Sequence, residues 1–97
     1  MITCILYDIE NDKARSKVAK YCKQAGLYRV QLSVFIGTLS KNEKDSLALS
    51  IDALIDTAKD KVYFFTMAKN DFQQSILLGQ AFDQKLVTDE VRALFFW

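Results

Sequence analysis

Asp8 ends the strand-like run Ile5-Leu6-Tyr7-Asp8-Ile9, at the position where the C-terminal end of a strand can present a carboxylate to a ligand. It is the one candidate catalytic residue, and the competing role for it is a turn-forming or helix-capping acid. Between positions 13 and 29 lie Lys13, Arg15, Lys17, Lys20, Lys23 and Arg29, with no acid among them. A cationic row of this kind is either a solvated helix face or a surface that tracks a phosphate backbone, each neutralised phosphate releasing a counterion. The chain has no histidine. Imidazole bases and imidazole metal ligands are therefore excluded, and acid–base or metal chemistry must come from carboxylates, Tyr, Lys or Cys.

Cys4 and Cys22 fall in a strand pattern and on the apolar side of a helix pattern, with no CxxC spacing between them. That pattern describes free buried thiols rather than a bridge or a metal site. A chain of 97 residues makes one domain and buries about 60–65% of its extended surface. Half its residues are apolar, enough for a core with little margin, so dimerisation is a natural way to bury the rest. The net charge of +1 makes the basic row a local feature and not a property of the whole molecule. No signal peptide and no stretch of membrane-spanning length is evident, so the expected location is cytoplasmic, with no membrane partner.

The elements that must position these residues follow from the periodicity. Residues 2–8 are apolar and β-prone and read as a buried strand. From about Asp12 the period becomes helical, with Ala14, Val18, Tyr21, Cys22 and Ala25 on one face and Gly26 as the stop. Val30 to Leu39 reads as strand, broken near Gly37 into a hairpin. Ser40-Lys41-Asn42-Glu43 is a capping box that opens a second helix, whose stripe is Leu47, Ile51, Leu54, Ile55 and Ala58. Val62-Tyr63-Phe64-Phe65-Thr66-Met67 reads as a buried strand, followed by a polar turn at Asn70-Asp71 and a short strand over 75–80. Thr88-Asp89-Glu90 starts a last helix. Strand, helix, strands, helix, strand is the order of a ferredoxin-like α+β sandwich, βαββαβ. We expect a single domain with its core in residues 1–70, and residues 71–97 as a C-terminal strand and short helix used for dimer or partner contacts.

Tyr7-Asp8-Ile9, the basic helix, Gly26, and then Gln31-Leu32-Ser33-Val34-Phe35-Ile36-Gly37 together resemble the second of the two core CRISPR adaptation proteins, the Cas-two family. The resemblance runs over about residues 2–80 and is strongest in those two segments. It implies the ferredoxin-like fold and a symmetric homodimer, in which the segment after the main domain adds a strand to the partner's sheet. It also implies that Asp8 is a metal ligand near the dimer axis, two copies holding Mg2+ or Mn2+ with waters and a phosphate oxygen. Phosphate contact is implied for Arg15, Lys17 and Arg29, which Lys13 and Lys20 of the basic row would join, with Tyr7, Ser33 and Phe35 flanking the cleft. Core packing is the alternative role for Tyr7 and Phe35.

Leu94-Phe95-Phe96-Trp97 is an apolar run that either folds back on the protein or docks on a partner, which the resemblance implies to be the CRISPR adaptation integrase. Leu86, Val87 and Val91 would extend that contact. Two functions are open to such a chain. One is a dimeric adaptor that holds duplex DNA and bridges the integrase during spacer acquisition. The other is a metal-dependent endonuclease acting on RNA or DNA through Asp8.

Overall fold

The computed structural model describes residues 1–79. Its elements are β1 (Ile2–Asp8), α1 (Asp12–Gln24), β2 (Tyr28–Gln31), β3 (Val34–Thr38), α2 (Lys41–Asp52), β4 (Lys61–Met67) and α3 (Lys69–Gln73). The sheet order is β2-β3-β1-β4, with all three pairings antiparallel. This is the ferredoxin-like α+β arrangement, with β1 in the interior of the sheet between β3 and β4.

Strand alternation sorts the side chains of β1 onto two faces. Ile5 and Tyr7, with Ile9 beyond the strand end, pack against Val18, Ala19 and Cys22 of α1, Phe35 of β3, and Leu47 and Ile51 of α2. The opposite face carries a smaller cluster of Ile2, Ile36 and Phe72, flanked by Cys4, Tyr28, Val30 and Met67. Ile5, Val18, Cys22 and Phe35 are all fully buried. Each large apolar side chain removed from water contributes about 1.5–3 kcal/mol, so the helix-side cluster dominates the core.

Local signals set the helix ends. Asn11 caps α1, its side-chain oxygen accepting from the Ala14 amide at 2.9 Å. The helix stops at Gly26, whose φ of 86° suits a residue without Cβ. There the Gly26 amide donates to Lys23 O at 3.0 Å and the Leu27 amide to Cys22 O at 3.1 Å, the paired bonds of a Schellman end. For α2, Ser40 Oγ accepts from the Glu43 amide at 3.1 Å while Glu43 Oε1 accepts from the Ser40 amide at 2.9 Å.

Four expectations are corrected. The β2–β3 hairpin turns at Leu32-Ser33, not at Gly37. Gly37 lies inside β3, where Leu27 crosses so closely that a Cβ would stand 2.9 Å from Leu27 Cδ2. The second helix ends at Asp52, because Asp56 and Asp60 offer the following backbone a competing turn: the Ala58 amide donates to Asp56 Oδ1 and the Asp56 amide to Asp60 Oδ2. Leu54 and Ile55 still reach the core from this loop, whereas Ala58 is exposed. Strand β4 is an edge strand with one bare face, Tyr63 and Phe65 being 51% and 54% exposed. Finally, the turn at Asn70-Asp71 is the short helix α3, which seats Phe72 on Ile2 and Ile36; within one protomer residues 75–79 pair with no strand of the sheet, the expected pairing being with a partner's. The expected last helix and Leu94-Phe95-Phe96-Trp97 lie outside the described residues, as do Leu86, Val87 and Val91.

Candidate functional site

Asp8 is the last residue of β1, exposed and opposite Lys61 in the β1–β4 register. Strand alternation sets it with Ile2, Cys4 and Leu6, on the face away from α1 and α2. Because Asn11 provides the α1 cap, Asp8 is not needed for capping. Among the described residues no side-chain hydrogen bond or ion pair uses its carboxylate. No cluster of three or more His, Cys, Asp or Glu that could hold a metal occurs among them either. At the β1 end one protomer therefore offers a divalent cation the free carboxylate of Asp8 without a cluster of further ligands among the described residues. That donor suits Mg2+ or Mn2+ where waters, phosphate oxygens and a second copy supply the rest of the shell. Of the neighbouring acids, Asp12 pairs with Arg15, while Glu10 gives its backbone amide to Asp60 Oδ1 at 3.1 Å.

Tyr7 and Phe35 are core residues, with ring centroids 6.4 Å apart and planes inclined by 18°. Tyr7 Oη donates to Leu32 O at 3.1 Å, and the Tyr7 amide donates to Ser33 O at 3.1 Å. Burial raises the Tyr7 phenol above its ordinary pKa despite the lowering influence of Arg29, so it remains a donor at neutral pH. Arg29 holds the same Leu32 carbonyl through Nε at 3.1 Å and Nη2 at 2.6 Å, with its guanidinium carbon 5.3 Å from the Phe35 ring centroid. Ser33 is half-buried at this turn.

On the helix side, α1 and β2 frame a groove of about 370 Å3 lined by Arg15, Ser16, Lys20, Lys23, Gln24 and Arg29. Four cations around one concavity make an anion-attracting surface. Of the expected nucleic-acid residues, the fold gathers Arg15, Lys20 and Arg29 here and adds Lys23. Ser16 and Gln24 join the wall because they share the Lys20–Lys23 side of α1, a signal that helical spacing carries but charge counting misses. Lys13 and Lys17 are exposed on α1 outside the groove. Asp8 is not part of the groove wall. A larger cavity of about 750 Å3, lined in part by Glu10, Asp12, Asp56, Lys59 and Asp60, has the wrong sign for a phosphate backbone. Within it, backbone donors from Asp56 and Glu10 hold the Asp60 carboxyl below its ordinary pKa.

Comparison with known proteins then places the chain. Residues 1–75 match the family described as CRISPR associated protein Cas2. The chain belongs to the Cas2 family. A CRISPR-associated endoribonuclease Cas2 of Chloroflexus aurantiacus is 33% identical over 79 residues, covering 81% of this chain and 93% of the relative. One of Desulforudis audaxviator is 35% identical over 75 residues, covering 77% and 71% respectively. Among solved structures, Streptococcus pyogenes Cas2 superposes with a TM-score of 0.71 at 28% identity, over 81% of this chain and all of that one (100%). A hypothetical protein of Thermus thermophilus gives 0.72 at 31% identity, over 82% and 92%. This Cas2-family chain has both cysteines free among the described residues. Burial pushes the Cys22 thiol up to about 11 and raises that of Cys4, so neither is a thiolate nucleophile at neutral pH. No helix among the described residues is long and apolar enough to cross a membrane.

Proposed function

We propose that this Cas2-family protein acts in CRISPR adaptation as a dimeric adaptor, holding duplex DNA by its phosphate backbone and bridging the integrase. The observation that carries the proposal is the cationic groove between α1 and β2, continued along α1 by Lys13 and Lys17. Lysine ammonium groups on a helix face contact phosphates without reading bases, which suits a protein that must handle DNA of any sequence. The bare sheet face supports the dimer. Tyr63 and Phe65 stack there with centroids 6.0 Å apart, beside half-buried Leu6 and Val34. Two such faces packed together would bury an apolar layer and bring both copies of Asp8 to the same side of it. Residues 71–97 are assigned to partner contact, Ile76 and Leu78 being 83% and 82% exposed. Within that segment, Leu94-Phe95-Phe96-Trp97 is the proposed integrase handle.

A second reading, endonuclease activity on RNA or DNA, is favoured by the free carboxylate of Asp8 and by relatives named as endoribonucleases. Mg2+ or Mn2+ bound there would supply Lewis acidity and an activated water. The chain's own part is to present Asp8 from a rigid strand end and to hold the nucleic-acid backbone on its lysines.

Purified wild type and Asp8→Ala, assayed on RNA and duplex DNA with Mg2+, Mn2+ or chelator, separate the two roles. The adaptor role predicts that both proteins bind duplex DNA alike. Metal-dependent cleavage that disappears in Asp8→Ala would establish the nuclease, and failure of both proteins to bind DNA would overturn the adaptor.

A further inference from the structure

Two arginines that a charge count assigns to phosphates place donors on the protein's own backbone carbonyls. Arg29 directs Nε and Nη2 to Leu32 O, the oxygen that also accepts from Tyr7 Oη. A carbonyl has two lone pairs, so three donors saturate it. The Tyr7 amide reaches the next carbonyl of the turn, Ser33 O, and the guanidinium lies over Phe35. The β2–β3 turn is thereby tied to the residue immediately before Asp8. Arg15 does the same on the other flank: Nη1 donates to Ile9 O at 3.0 Å and to Glu10 O at 3.5 Å, while Nη2 pairs with Asp12. The Asp12 side chain is 90% exposed, so a phosphate approaching Arg15 also meets a carboxylate.

We infer that Arg15 and Arg29 are positioning residues that clamp the two flanks of Asp8 through backbone carbonyls, leaving the nucleic-acid backbone to the lysines of α1. The planar guanidinium fork explains the residue type. It gives two donors to one carbonyl while stacking on a ring, which a lysine ammonium cannot reproduce. The assignment of phosphates to lysines rests on the nucleic-acid reading above, whereas the clamp does not.

The test replaces Arg29 by Lys and by Gln, and follows amide exchange at Tyr7 together with the salt dependence of duplex DNA binding. The clamp predicts Tyr7 exchange about tenfold faster in both variants, with the centre of β1 unchanged and no rescue by lysine. It also predicts an unaltered salt slope in both. Arg15→Lys is expected to act likewise on the Glu10 amide. Tyr7→Phe removes only the third donor to Leu32 O and must accelerate exchange of the amide at position 7, which keeps the test intact if Arg29→Gln fails to fold. Unchanged exchange in Arg29→Lys overturns the clamp. A slope that falls by about 0.9 in Arg29→Gln and is restored in Arg29→Lys makes Arg29 a phosphate ligand instead. Wild type that shows no salt-dependent binding contradicts the nucleic-acid reading, while the exchange result still decides the clamp.

Discussion

Asn11 and Asp8 stand three positions apart in one loop-proximal stretch and divide its two polar tasks. Asn11 accepts from the Ala14 amide and so satisfies one of the donors that the start of α1 leaves open. Asp8 is left exposed at the strand end, where its cost of removal is small and its chemistry is available. Asn11→Ala is expected to lower unfolding stability by about 1 kcal/mol, the usual cost of a lost cap. Asp8→Ala should stay within about 0.5 kcal/mol of wild type, as exposed substitutions do. Urea unfolding of the two variants measures both, and the opposite ranking would return Asp8 to a structural role. The free carboxylate was legible in the sequence as an acid after an apolar strand. Its freedom was not, because the cap three residues on competes for the same assignment and only geometry decides between them.

At the scale of elements, what could be read was what is local. The capping box at Ser40–Glu43 and the stop at Gly26 depend on neighbours within one turn, and both formed as expected. Glu43 carries a pH dependence with a definite sign. Hydrogen bonds from the Ser40 backbone and side chain lower its pKa from 4.5, so its contribution is present above 4.5 and is lost as pH falls through the folded-state value. Glu43→Gln should therefore flatten the acid limb of the stability profile in that window without abolishing folding, as denaturant melts at stepped pH would record. An unchanged acid limb would contradict the capping account. Long-range features were not legible. Gly37 resembles a turn residue in sequence, but it is small because Leu27 packs over it, while the actual turn at Leu32-Ser33 has no Gly, Pro, Asn or Asp to announce it. The run Val62 to Met67 has the composition of a central strand. Its place at the sheet edge follows from topology, which leaves Tyr63 and Phe65 bare. Likewise the basic row was visible as charge, whereas the capture of Arg29 by a carbonyl required the hairpin to be folded.

For the whole molecule, the sheet has one face covered by α1 and α2 and one that, among the described residues, α3 partly covers at Ile2 and Ile36. An exposed aromatic pair on the bare face gives the protein reason to self-associate. Tyr63→Asp is expected to convert a dimer to a monomer in sedimentation equilibrium while leaving the circular dichroism spectrum unchanged. A dimer of wild-type strength in that variant would mean association through another surface. Seen at this scale, the acid and the lysines occupy different faces of one chain, so backbone binding can persist when the acid is removed. The most direct test of that account is the salt dependence of duplex DNA binding by wild type and by the Lys20→Gln/Lys23→Gln double variant. The account predicts weaker binding by the variant and a log–log slope shallower by about 0.9 for each phosphate no longer neutralised. An identical slope in the two proteins would contradict it, because the groove between α1 and β2 would then carry no phosphate.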